Sequence, residues 1–131
     1  MIKQFAFLVA LATMFGSTLS FKLEQPFEAT TLEQRAEMAG MADDIDSFIL
    51  FSSVVEAESN RCQDDTTGRR YIALCILNRV NSSQFPNTIT GVLTQSGQFS
   101  TVRNGHSVTN RTDLSDQAVI EAVEWLNEET T

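Results

Sequence analysis

The run Phe48-Ile49-Leu50-Phe51-Ser52-Ser53-Val54-Val55-Glu56-Ala57-Glu58 constrains this chain more than any other segment. Its middle is apolar nearly all round. A helix over roughly 44–58, capped by Asp43 or Asp44, therefore belongs inside a domain rather than on its surface. Residues three, four and seven apart share a helix face. Counting back from Glu58 meets Val55, Val54 and Phe51, whereas counting back from Glu56 meets Ser53, Ser52 and Ile49. The spacing points Glu58 toward the core and Glu56 toward its polar edge. A carboxyl group against apolar walls is disfavoured as an anion, and such a group can serve as a proton donor near neutral pH. The same spacing also fits a frayed helix end that turns Glu58 into solvent.

A chain of 131 residues suffices for one small domain. Hydrophobic residues at 42% and charged residues at 20% describe a globular protein rather than a disordered one. The formal net charge of -8 repels phosphate backbones, so nucleic acid is not an expected partner. Basic residues cluster only at Arg69-Arg70, which reads as a solvated helix start.

The N-terminus reads as a secretory signal over 1–20. Lys3 precedes the apolar stretch from Phe5 to Phe15, and Gly16-Ser17-Thr18-Leu19-Ser20 offers small residues for cleavage after Ser20. The apolar stretch is short for a membrane span, and no stable membrane insertion is expected once it is removed. An exported chain meets an oxidising compartment, which permits Cys62 and Cys75 to pair. Alternatively, Cys75 is a small core residue on the face Ile72-Cys75-Ile76 and Cys62 is free. Two cysteines and one histidine make no metal-ligand pattern, and neither metal nor cofactor is expected.

Residues 21–42 read as a linker followed by a helix, with overlapping capping boxes at Thr30/Glu33 and Thr31/Gln34. Its low apolar content suggests a loosely attached leader to a domain over 43–131. A polar loop follows Glu58. A second buried helix over roughly 69–80 carries Tyr71, Ile72, Leu74, Cys75, Ile76 and Leu77. A short helix is expected over 88–94, although Gly91 weakens it. The stretch 95–112 reads as irregular or as short strands. Ser115 can cap a last amphipathic helix with Ala118, Val119, Ala122, Val123 and Leu126 on one face.

Four stretches occur in a distinctive order: Val54-Val55-Glu56-Ala57-Glu58, Ile76-Leu77-Asn78-Arg79-Val80, Phe85-Pro86-Asn87-Thr88-Ile89-Thr90-Gly91-Val92, and Gln98-Phe99-Ser100-Thr101-Val102-Arg103-Asn104-Gly105. Together they resemble the SleB-type cell wall hydrolases, the catalytic domains of spore cortex-lytic enzymes. The resemblance implies a mainly α, lysozyme-like domain with irregular loops or short strands. It implies an exported enzyme that cleaves peptidoglycan between N-acetylmuramic acid and N-acetylglucosamine by lytic transglycosylation. The family's catalytic glutamate falls on Glu58. Gln98 and Ser100, on an irregular segment, are candidates for lining the glycan cleft. Phe99 is expected to anchor to the core, and Asn78 and Arg79 to stabilise the fold. Asp64, Asp65 and His106 read as solvated loop residues.

The chain departs from the family pattern where Thr67 replaces an acidic residue before Gly68. It also stops soon after Trp125-Leu126-Asn127, where the family continues with a segment that helps form the cleft. A second reading is therefore a non-catalytic wall-binding or interaction protein with an incomplete cleft. Amidase action on the peptide stem is disfavoured, because the zinc-binding histidines of most such enzymes are lacking.

Overall fold

The helix expected from the apolar run lies at the centre of the molecule. The structure, a computed structural model, describes residues 26–59, 66–95, 99 and 110–130. Among them are a 3-10 turn at Phe27–Ala29 and five α-helices. These are α1 (Leu32–Met38), α2 (Ile45–Glu58), α3 (Thr66–Asn81), α4 (Ile89–Leu93) and α5 (Asp113–Thr130). The described residues contain no strand, so the domain is mainly α. None of their helices is long and apolar enough to cross a membrane.

Helix α2 touches each of the other four, and α3 packs most extensively against α5. Phe48, Phe51, Val54 and Val55 of α2 are buried among Ala73, Ile76 and Leu77 of α3, Ile89, Val92 and Leu93 of α4, and Ala118, Val119 and Val123 of α5. Each large apolar side chain buried in this way contributes about 1.5–3 kcal/mol. The core face expected for the last helix is therefore the observed one, with Ile120 added and Leu126 partly buried.

Local chemistry sets the helix ends. The Asp44 carboxylate accepts from the Ser47 amide at 3.1 Å and starts α2. Thr31 and Gln34 form a reciprocal capping box at the start of α1. Thr30, the other candidate, instead donates its hydroxyl to the Phe27 carbonyl and accepts from Arg35 Nε. Gly40 closes α1 with a φ of 72°. The Gly40 amide bonds to Glu37 O at 2.9 Å and the Met41 amide to Ala36 O at 2.7 Å. This is the paired closure that a left-handed residue after a helix allows. Gly91 does not break α4. A Cβ there would lie 2.7 Å from Thr88 Oγ1 and 2.8 Å from Pro86 Cβ, so the close approach of the capping turn requires glycine.

Three expectations are corrected. The helix read as a loosely attached leader packs into the core through Ala36 and Ala39, both fully buried. Its Arg35 reaches Asp113 at 2.7 Å and Asp116 at 2.8 Å. Charge pairing, which low apolar content does not reveal, fastens it. Secondly, α3 is not buried all round. Its inner stripe is Arg69, Ala73, Ile76, Leu77 and Val80, and Tyr71 is 64% exposed. Cys75 is exposed with a free thiol, not a core residue, and Cys62 lies outside the described residues. Thirdly, Thr112 rather than Ser115 caps α5. The Thr112 hydroxyl accepts from the Ser115 amide at 3.1 Å, while the Ser115 hydroxyl accepts from the Thr112 amide at 2.8 Å.

Candidate active site

The end of α2 is assembled from three parts of the chain. Glu58 is the last residue of the helix and is half-buried. Ser59 follows it, 3% exposed, and its hydroxyl donates to the Glu56 carbonyl at 2.8 Å. The Ser59 amide bonds back to Val55 and Ala57 carbonyls, so the final turn is closed. The frayed, fully solvated end is therefore not what forms, and the apolar residues one and two turns before Glu58 are all buried.

Glu56 departs from its expected place at a polar edge. The serine face of α2 is buried, with Ser52 at 0% and Ser53 at 1% exposure. It can be buried because α5 brings polar partners to it. Ser52 Oγ donates to Asp116 Oδ1 at 2.5 Å and lies 2.7 Å from Ser115 Oγ. One turn further along, the Glu56 carboxylate is only 12% exposed. Arg69 grips it with two prongs, Nε to Oε1 at 3.1 Å and Nη2 to Oε2 at 2.9 Å. Thr112, at the entry to α5, donates its hydroxyl to Oε1. The Arg69 hydrogen bond holds the Glu56 carboxyl below the usual carboxylate range. Burial acts in the opposite direction, and the Thr112 hydrogen bond reinforces Arg69.

A second buried charge cluster lies between α1, α2 and α5. Asp116 is fully buried and accepts from Arg35, Arg111 and Ser52. Arg35 also donates to Asp113, Thr30 and the Phe27 carbonyl, and its guanidinium lies 4.2 Å from the Phe27 ring centroid. Such a cluster ties distant segments together, and every member has a partner.

Sequence reasoning missed Arg69, Thr112, Arg35 and Asp116. For Arg69 a signal exists only once the phase of α3 is known. Arg69 falls on the same stripe as Ala73, Ile76, Leu77 and Val80, and a charge in an apolar stripe demands a partner. Its neighbour Arg70 does fit the solvated reading, with a 42% exposed side chain 3.7 Å from Glu121. Gln98 and Ser100 lie outside the described residues, as do Asp64, Asp65 and His106. Phe99 is packed against the core as expected. Arg79 lies over Phe85 and Phe99, 5.2 and 5.5 Å from the ring centroids. An open hollow of about 520 Å³ runs along the outer side of α3, lined by Tyr71, Leu74, Cys75, Asn78, Arg79, Ser82 and Phe85.

Comparison with known proteins agrees with the motif order. The cell wall hydrolase family model matches residues 63–131, a stretch that begins after Glu58. A spore cortex-lytic enzyme of Bacillus cereus strain ATCC 14579 is 30% identical over 74 residues, covering 53% of this chain and 29% of that enzyme. A spore cortex-lytic enzyme of Oceanobacillus iheyensis is 36% identical over 56 residues, covering 43% of this chain and 20% of that enzyme. The chain thus spans less than a third of the length of these curated relatives. No solved structure gives a significant match. With more than half of its length matched, the chain belongs to the cell wall hydrolase family.

Proposed function

We propose that this protein is an exported peptidoglycan-cleaving enzyme, a lytic transglycosylase with Glu58 as its single acid–base residue. The observation that carries the reading is the placement of Glu58. It ends a helix whose preceding turns are locked in the core, so its carboxyl is held on a rigid support at the edge of the apolar interior. Membership of the cell wall hydrolase family supplies the substrate class.

In the proposed reaction the Glu58 carboxyl donates a proton to the glycosidic oxygen between N-acetylmuramic acid and N-acetylglucosamine. The C1–oxygen bond breaks, and the proton leaves with the N-acetylglucosamine hydroxyl. The Glu58 carboxylate then takes the proton from the muramic acid C6 hydroxyl as that oxygen bonds to C1. A 1,6-anhydro ring closes and the acid is regenerated. Gln98 and Ser100 are proposed to bind the glycan strand. A hydrolase of the two-carboxylate kind would need a second carboxyl group to direct water.

The test is Glu58→Gln, which keeps the shape and removes the proton. General acid–base catalysis contributes about 10²–10⁴-fold, so peptidoglycan solubilisation should fall by at least that factor while the fold is kept. Cleavage at the parental rate by the folded variant would refute the assignment. Wall binding by a parent protein that releases no glycan fragments would favour the non-catalytic reading.

A further inference from the structure

We propose that Glu56 and Arg69 are positioning residues that hold the last turn of α2, and with it Glu58, in its working place. The proposal rests on the reading of Glu58 as the acid–base residue. A helix end is its least secure part, because the last four carbonyls have no partners within the helix. A reactive carboxyl on the last residue inherits that looseness unless something outside the helix restrains the turn. Displacement of about 1 Å can cost a catalytic group about 10²-fold in rate.

The restraint is built from elements far apart in sequence. Glu56 is two residues before Glu58, Arg69 lies in the first turn of α3, and Thr112 caps α5. The three meet at one carboxylate. A two-pronged guanidinium–carboxylate contact fixes orientation as well as distance, which a single contact does not. The pair is sheltered, with side chains 10% and 12% exposed. Ser59 joins the same turn from the other side through the Glu56 carbonyl. Helix α2 has no basic residue in its last turn. Arg69 brings the positive charge that a helix C-terminus favours, and it comes from a neighbouring helix rather than from α2 itself. An ion pair that served only the fold could sit anywhere along the α2–α3 contact. This one sits on the turn that carries Glu58.

The proposal is tested by measuring turnover and amide hydrogen exchange together in Glu56→Gln, Arg69→Met, the double variant and Arg69→Lys. All are assayed at a temperature where circular dichroism shows them folded. Glu56→Gln and Arg69→Met should each lower kcat about 10–100-fold with KM unchanged, the signature of lost precision rather than lost binding. The double variant should be no worse than the worse single one, because the pair acts as a unit. Arg69→Lys, which keeps the charge and loses the fork, should fall between parent and Arg69→Met. In Arg69→Met, exchange of the amides of residues 56–59 should accelerate at least about tenfold relative to those of Phe48 and Phe51. If Arg69→Met does not fold, Thr112→Val and Arg69→Lys carry both readouts. Unchanged kcat in folded variants, or exchange that rises equally along α2, would overturn the proposal. Glu58→Gln is assayed alongside. Activity in that variant defeats the acid–base reading, whereas its inactivity with fully active Glu56→Gln defeats only the positioning role.

Discussion

Replacing Arg35 by methionine separates the two views of the N-terminal helix. As part of a loose leader, Arg35 should be dispensable, since surface substitutions change stability by less than about 0.5 kcal/mol. The structure gives it a different weight. Its side chain is 7% exposed and donates to Asp113, Asp116, Thr30 and the Phe27 carbonyl. Removing one partner of a buried ion pair costs about 3–5 kcal/mol, because the other charge is left without compensation. Asp116 keeps Arg111 and Ser52, and Asp113 is 57% exposed and can be solvated. Those two facts place the expected loss at the lower end, about 3 kcal/mol. At about 4–8 °C per kcal/mol for a small domain, the melting temperature should fall by about 12–24 °C. Arg35→Lys keeps the charge without the fan of donors and should recover part of the loss. Urea denaturation followed by circular dichroism measures both. A loss below about 0.5 kcal/mol for Arg35→Met would show that α1 is peripheral and that the charge cluster does not hold it.

Other substitutions act on separate parts of the fold. Gly91→Ala gains up to about 1 kcal/mol of helix propensity, yet its methyl meets Thr88 Oγ1 and Pro86 Cβ within 2.8 Å, so net destabilisation of about 1–2 kcal/mol is expected; a higher melting temperature would contradict the close approach. Glu56 titrates below its unfolded value, so its stabilising contribution is full above about pH 4.3 and is lost as the pH falls through the lowered folded value. The stability gap between the parent and Glu56→Gln should therefore be wide at pH 6 and narrow toward pH 3; a gap that did not change with pH would refute the pairing.

Helix α2 was legible because its sequence is apolar nearly all round and its cap is local. The end of α2 was only half legible. Spacing singled out Glu58, but the partners of Glu56 come from residues 69 and 112, and no local pattern announces a contact across such distances. For α3, apolar residues from Tyr71 to Leu77 leave the helix phase undetermined. Arg69 looked like a solvated charge, and only its burial against Glu56 reveals which stripe faces inward. Helix α1 illustrates the opposite failure. Its attachment depends on Ala36, on Ala39 just past its end, on partly buried Leu32 and on one arginine rather than on a broad apolar face, so hydrophobic patterning underestimates it. The motif order, which is independent of any geometry, points to the cell wall hydrolase family.

Ring closure is the step proposed for Glu58 in glycan cleavage. It is tested most directly by mass spectrometry of peptidoglycan digested with the parent protein and with Glu58→Gln. Fragments ending in 1,6-anhydro-muramic acid, lighter by one water than the hydrolysed form, are expected from the parent and none from the variant. Anhydro products from both proteins, or fragments from the parent that carry only reducing ends, would contradict it.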